Sequence, residues 1–325
     1  MTSTSQLIAM IRSHAAGDSD RFLSIAEHIA SDAASSGKKK VAGDLQTVIS
    51  AARAAERGRP AKPTPITAPR GELAGLVRAS YPEIQMSDLV FNADQSRRLT
   101  RAVREHREHE ALEAKNLAPR RKFLFSGPPG TGKGMTAAAM ATELGLPLFT
   151  ILLDGVITKF MGETASKLRL IFDAMSTSRG VYFFDEVDAL AGRRGAENDV
   201  GEARRMLNSF LQFLEDDDSG SVIIAATNHK ALLDPAIFRR FDAAFVYAKP
   251  SVDEARRVLR NHLLQFDLAK IDWQSLDGAL ADLSQADLVA AASDAARDAV
   301  LDHGAELSTK LLKQALEDRQ SIHPD

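Results

Sequence analysis

The stretch Phe123–Thr136, FLFSGPPGTGKGMT, limits what this chain can fold into more than any other. Its apolar start reads as a buried strand. The glycines after it demand a tight loop, and the residues beyond Lys133 suit a helix. Gly127, Gly132 and Lys133 stand at the G-x-x-x-x-G-K spacing of a phosphate-binding loop, with Gly130 between them. Glycine places no Cβ in the way, so successive backbone N–H groups can turn inward and form a concavity for anions. The helix that follows aims its positive dipole end at the same place. The segment from Pro129 through Gly130, Thr131, Gly132, Lys133, Gly134 and Met135 is therefore the expected phosphate cradle, with the Lys133 ammonium reaching the terminal phosphates. One position departs from the pattern. The residue after the lysine ordinarily carries a hydroxyl that ligates Mg²⁺, and here it is Gly134.

A chain of 325 residues with 44% hydrophobic content has room for two or three packed units. Its net charge of −3 gives no overall attraction to nucleic acid or to a membrane. The sequence has no Cys, which excludes disulfides and thiolate metal sites. The start, MTSTSQLIAMIRSH, lacks the basic residues and long apolar core of a secretory signal. No apolar run reaches the roughly 18 residues of a membrane span. A cytoplasmic protein is the expectation.

Residues 1–57 carry three helical stripes, for example Phe22, Ile25, Ala26, Ile29 and Ala30, and read as a small helical bundle that docks a partner or substrate. The segment GRPAKPTPITAPR opens a Pro-rich linker, expected over 58–83. From 84 to 249 apolar strands alternate with amphipathic helices, which predicts an α/β unit built on a parallel sheet. Strands are expected near 122–126, 148–152, 181–184, 222–226 and 244–247. Residues 250–325 read as helices only, a smaller second unit.

Ligands in such sheets sit at the carboxyl ends of the strands. The apolar strand Val181–Phe184 ends in Asp185 and Glu186. Beside a phosphate loop, Asp185 is placed to hold Mg²⁺, and Glu186 is the natural base for an attacking water. The strand Val222–Ala226 ends in Thr227 and Asn228, whose amide can both donate to and accept from that water.

GPPGTGKG, FFDEVDAL, AATN and LDPAIFRRFD occur in the order and spacing of the AAA+ ATPases, and over residues 84–320 the chain resembles the clade of FtsH, spastin, katanin and the proteasomal ATPases. The resemblance implies a five-stranded parallel sheet, a helical lid, and ATP with Mg²⁺ bound between the subunits of a homo-oligomeric ring, commonly a hexamer. It assigns the phosphates to Lys133, Mg²⁺ to Asp185, the base to Glu186 and the first sensor to Asn228. It makes Arg239 and Arg240 arginine fingers that enter a neighbour's site. Asp88-Leu89-Val90 resembles the segment that meets the adenine, and His262 the lid histidine near ribose or base. The lid's usual Gly-Ala pair is absent, because Gln285 precedes Ala286. Phe160 and Met161, in KFMGE, resemble a pore loop that grips an extended polypeptide. The alternative for Phe160 is a core residue at a helix start. Arg193-Arg194-Gly195 reads as a second pore loop or a basic surface turn.

Thr136 cannot stand in for the missing hydroxyl, since two helical positions turn a side chain by about 200°. A water can fill a Mg²⁺ position. Binding is therefore expected to survive, with slower hydrolysis. Three functions are compatible: an ATP-driven protein remodeller, an ATP-gated assembly switch acting on a partner, and a nucleic-acid motor suggested only by scattered basic residues. No H-E-x-x-H motif occurs, so proteolysis would fall to a separate effector.

Overall fold

The computed structural model describes residues 71–157, 161–191, 199–229, 235–302 and 304–322, together with Ala26, Gly43 and Pro69. The chain divides into two units, Met1–Lys62 and Pro63–Asp325. In the first, Ala26 is helical and buried and Gly43 is helical and exposed; the rest of the expected bundle lies outside the described residues.

In the second unit the principal elements run β1 (Val77–Ser80), α1 (Ala93–Arg107), β2 (Lys122–Ser126), α2 (Lys133–Leu144), β3 (Leu148–Ile151), α3 (Met161–Thr177), β4 (Val181–Phe184), α4 (Asp199–Asp216), β5 (Val222–Thr227) and β6 (Ala243–Val246). The helices α5 (Val252–His262), α6 (Gln285–Asp302) and α7 (Thr309–Ile322) follow. The sheet order is β1-β3-β4-β5-β2-β6. The five expected parallel strands are all present, with Leu124 opposite Ala225 and Phe184 opposite Ala225 on the other side of β5. The sheet has a sixth strand, however. β1 runs antiparallel to β3, from Val77 opposite Ile151 to Ser80 opposite Leu148. The fold therefore begins inside the segment expected to be linker, because Val77 is buried against the sheet and the Leu152 N–H donates to the Leu76 carbonyl.

Strand alternation builds two cores. Phe123, Phe125, Phe183 and Ile224 point to one face, where Leu99 and Val103 of α1 and Met140 of α2 cover them. Leu124, Tyr182, Phe184 and Ile223 point to the other, beneath Leu168, Ile171 and Phe172 of α3 and Phe210 of α4. Strands sandwiched this way must be apolar throughout, as VYFF and VIIAAT are. The C-terminal helices have their own core, in which Leu259, Leu288 and Leu316 are fully buried.

α1 starts where Asn92 accepts from the Gln95 N–H at 2.8 Å. Its charged face carries the ion pairs Arg97–Asp94 and Arg104–Glu108. Two of its side chains also close the free edge of β6. Arg98 donates to the Ala244 carbonyl at 2.7 Å and Gln95 to the Val246 carbonyl at 2.8 Å. Arg98 lies over the Phe245 ring as well. α5 opens on a capping box, with the Ser251 N–H donating to Glu254 at 2.8 Å.

His106, at the end of α1, is buried and its Nε2 bonds the Arg120 carbonyl at 2.7 Å. Burial pushes its pKa below the ordinary 6.5, outweighing the pull of the carbonyl. The folded state therefore resists protonating a group that the unfolded chain protonates freely, and the stability this gives is present above pH 6.5 and lost as pH falls below it. Glu105, held low by its hydrogen bond from Arg120, adds a loss in the same direction below its ordinary 4.5. Melting temperature should fall between pH 7 and pH 5, and in His106→Gln, which keeps an N–H donor, that part of the slope should flatten.

Candidate functional site

The carboxyl ends of β2, β4 and β5 meet the lid at one cleft of about 1260 Å³. The phosphate loop forms its floor. Gly127, Gly130 and Gly132 have φ values of +153°, +73° and +92°, which only glycine adopts without strain. Space demands glycine too. A Cβ on Gly127 would collide with the Tyr247 carbonyl, and one on Gly130 with the Ser284 hydroxyl. α2 begins at Lys133 with no side chain capping its first N–H groups, so they face the cleft as donors.

Lys133 is 7% exposed, and its Nζ donates to the Gly127 carbonyl, the Pro128 carbonyl and Asn228 Oδ1, each at 2.8 Å. All three acceptors are neutral. Burial pushes the ammonium below its ordinary pKa, while Asp185, Asp188 and Glu186 pull it back up. From Asn228 the network continues, since its Nδ2 donates to Glu186 Oε1 at 3.3 Å. The Glu186 N–H donates to Asp185 Oδ1 at 3.0 Å. Lys133, Asn228, Glu186 and Asp185 thus form one hydrogen-bonded chain across three strand ends. Glu186 has φ +53°, a left-handed conformation that costs a non-glycine residue about 1–2 kcal/mol. That turn reverses the backbone directly after β4 and brings the carboxylate to Asn228. Burial raises the Asp185 pKa, opposed by the Glu186 N–H and the Lys133 charge.

The other expected site residues divide into groups. Asp88, Val90, Pro129, Gly130, Gly132, Gly134, Met135 and His262 all line the cleft with the four above. Thr131 is buried, and its hydroxyl turns away to donate to the Pro128 carbonyl at 2.8 Å. His262 lies on the lid side, with Nε2 2.8 Å from the Ser293 hydroxyl. Arg239 and Arg240 sit on a short helix, Pro235–Arg240, and do not line this cleft. Arg239 is exposed, and Arg240 pairs with Glu215 at 3.2 Å. Phe160 and Arg193–Gly195 lie outside the described residues. Met161 is the first residue of α3.

Two contributors were not visible as motifs. Asp188 accepts from the Thr227 hydroxyl at 2.8 Å, and that hydroxyl accepts from the His229 N–H at 3.0 Å, which fixes the backbone on both sides of Asn228. A second acid two residues beyond Glu186 is the signal that could have found it. The lid also touches the loop, as the Ala286 N–H donates to the Gly130 carbonyl at 3.0 Å.

The residues suit a nucleoside triphosphate with Mg²⁺. Open N–H donors and one buried ammonium face the place where an anion would lie, and Asp185 can supply one oxygen to a divalent cation. Among the described residues no group of three or more His, Asp or Glu could hold a metal ion alone. A cation here would depend on phosphate oxygens and water for its other ligands.

A three-layer α/β sheet, a glycine loop leading into a helix and acids at the next strand ends define a phosphate-loop nucleoside triphosphatase with a helical lid. The family model described as ATPase family associated with various cellular activities (AAA) matches residues 123–248. The Sinorhizobium fredii protein called uncharacterized AAA family ATPase y4kL is 31% identical over 302 residues, covering 93% of this chain and 91% of that protein. ATP-dependent zinc metalloprotease FtsH 3 of Sphaerobacter thermophilus is 32% identical over 254 residues, 76% of this chain and 52% of its own length. Proteasome-activating nucleotidase of Methanococcus vannielii is 32% identical over 215 residues, 64% of this chain and 53% of its own length. The chain belongs to the AAA ATPase family and is an ATP-hydrolysing enzyme. It spans about half the length of the latter two relatives.

Gly134 differs from its neighbours in the loop. A Cβ there meets only the Phe183 ring, at 3.6 and 3.8 Å, which is ordinary contact. Gly134→Ala should fold at least as stably as the parent, gaining up to about 1 kcal/mol of helix propensity. Gly127→Ala should lose about 1–3 kcal/mol through the forced backbone shift. Urea unfolding of both full-length variants checks the contrast.

Proposed function

We propose that this ATPase works as a homo-oligomeric ring, hexameric by analogy with its family, that remodels a protein substrate by drawing it through a central pore. The observation that carries the hydrolytic part of the reading is the hydrogen-bonded chain from Lys133 through Asn228 and Glu186 to Asp185. In this reading the phosphates lie on the loop N–H groups and Lys133. Asp185 would hold Mg²⁺, which would supply positive charge to the phosphates. Glu186 takes the proton from the attacking water, and Asn228 orients that water while its amide stays tied to Lys133. Asp88 and Val90 flank the base, with His262 on the lid side.

Arg239 and Arg240 serve the neighbouring subunit's site, where guanidinium steadies the charge on the transferred phosphoryl group. The exposure of Arg239 supports that reading. Phe160 and Met161 are the proposed substrate contacts. The names of the relatives, an ATP-dependent protease and a proteasome activator, support a protein as substrate. Any peptide cleavage would belong to a separate effector.

One observation favours a second reading. Gly134 offers no hydroxyl to Mg²⁺, which suits a switch that acts through ATP occupancy and turns over slowly. Phosphate release by Glu186→Gln should drop by about 10²–10⁴-fold with ATP binding retained. Phe160→Ala should abolish remodelling and spare ATP binding if the chain threads protein, and change neither if it is a switch. Gly134→Ser restores the hydroxyl where the Phe183 ring leaves room. A rise in Mg²⁺-dependent turnover, measured by phosphate release, would establish that the missing hydroxyl limits the rate.

A further inference from the structure

Gln285 stands where the sequence departs from the lid's usual glycine, and its surroundings give it one direction in which to point. The backbone on its C-terminal side is tied to the phosphate loop, with the Ala286 N–H donating to the Gly130 carbonyl at 3.0 Å. On its N-terminal side Ser284 lies against Gly130, and its hydroxyl donates to Asp287 at 2.6 Å. Between these anchors the Gln285 side chain enters the cleft. Its Nε2 donates to the Val90 carbonyl at 2.9 Å. Its Oε1 lies 3.3 Å from where a Cβ on Gly132 would stand. The amide therefore spans the cleft from the phosphate loop to the segment that precedes α1.

The two ends of that span differ in chemistry. Around Lys133 the cleft holds one ammonium, the acids Asp185 and Glu186, and the backbone N–H donors of the loop. Val90 and Val258 belong to one buried apolar cluster, and the cleft lining also includes Leu89, Leu264 and Val289 beside the polar Ser87, Asp88, Asn261 and His262. With phosphates on the loop, the base of a nucleotide falls at the other end, where the Val90 carbonyl offers a hydrogen-bond acceptor. In the free protein that acceptor is taken by Gln285.

We propose that Gln285 tempers recognition of the base: its amide occupies the Val90 carbonyl in the free protein and yields it to the exocyclic amine of adenine, which weakens the preference for adenine. Each binding event then exchanges one N–H···O=C bond for another. A purine that presents a carbonyl oxygen at that edge has no donor to offer, so it binds without displacing Gln285 and neither gains nor loses a bond at that carbonyl. Gln285 also lowers the affinity for ATP, because its own bond must break first. The inference rests on the cleft taking ATP with its phosphates at Lys133.

The test is calorimetric titration of ATP and of ITP, which lacks the amine, into the full chain and its variants with Mg²⁺ chelated to prevent turnover. Gln285→Ala should bind ATP on the order of three- to tenfold more tightly, the equivalent of one net hydrogen bond, with ITP affinity unchanged. Gln285→Met keeps the side-chain length without the donor and should show the same gain, which keeps the test available if the alanine variant folds poorly. Unchanged or weaker ATP binding by these variants would overturn the exchange. An equal gain for ITP would also overturn it, since that makes Gln285 a steric obstacle alone. If the parent protein binds no ATP, or binds it as well after Lys133→Ala, the failure lies in the reading of the cleft and not in Gln285.

Discussion

A buried ammonium group bonded, among the described residues, only to neutral oxygens is the interaction on which this structure turns. Lys133 touches two loop carbonyls and one side-chain amide, and no carboxylate among the described residues is within bonding distance of it. Burial alone works against its charge, and the three nearby acids offset that without neutralising it. A positive centre in this state has the strongest response to an added anion, because the low local dielectric enlarges any new Coulombic contact. The glycines that forbid a Cβ, the uncapped start of α2 and the strand ends that carry Asp185, Glu186 and Asn228 all lead to the same few ångströms. Each of these features depends on the parallel sheet, which brings three strand ends to one edge.

The lid is part of this arrangement. Ala286 bonds Gly130, Gln285 bonds Val90, and Lys249 donates to the Asp282 carbonyl at 2.7 Å across the junction with the helical unit. Two of these bonds end on residues that line the cleft. A change in what occupies the cleft therefore acts directly on the hydrogen bonds that seat the lid, and a movement of the lid acts on the loop. The coupling needs no long pathway, because the same atoms belong to both parts.

Much of this was legible in the amino-acid sequence, for physical reasons. Strands such as VYFF and VIIAAT are apolar without alternation because both faces are covered, and the helices between them carry clear stripes. Lys133, Asp185, Glu186 and Asn228 could be named because each is tied to the end of a strand that is itself easy to recognise. β1 was missed because VRAS is four residues at a sheet edge, after a proline-rich stretch, with only Val77 fully buried. The Gln285–Val90 contact joins residues 195 positions apart and exists only once the lid is seated, so no local pattern could reveal it. The roles expected of Arg239, Arg240 and Phe160 concern contacts with other chains, which no pattern of contacts within one chain describes. Thr131 lies in the loop where the motif puts it, and its hydroxyl braces the loop at Pro128, a contact the motif does not specify.

The edge of the sheet at β6 has a bearing on how copies of this chain can meet. An open strand edge invites another strand by backbone pairing, which is the simplest and least selective way for two proteins to join. Here Arg98 and Gln95 from α1 already hold the carbonyls of Ala244 and Val246. A second copy approaching this side would meet side chains in place of those two carbonyls. A contact of that kind can be made and released as their arrangement changes, whereas a continuous sheet between subunits would fix them together whatever the cleft contained.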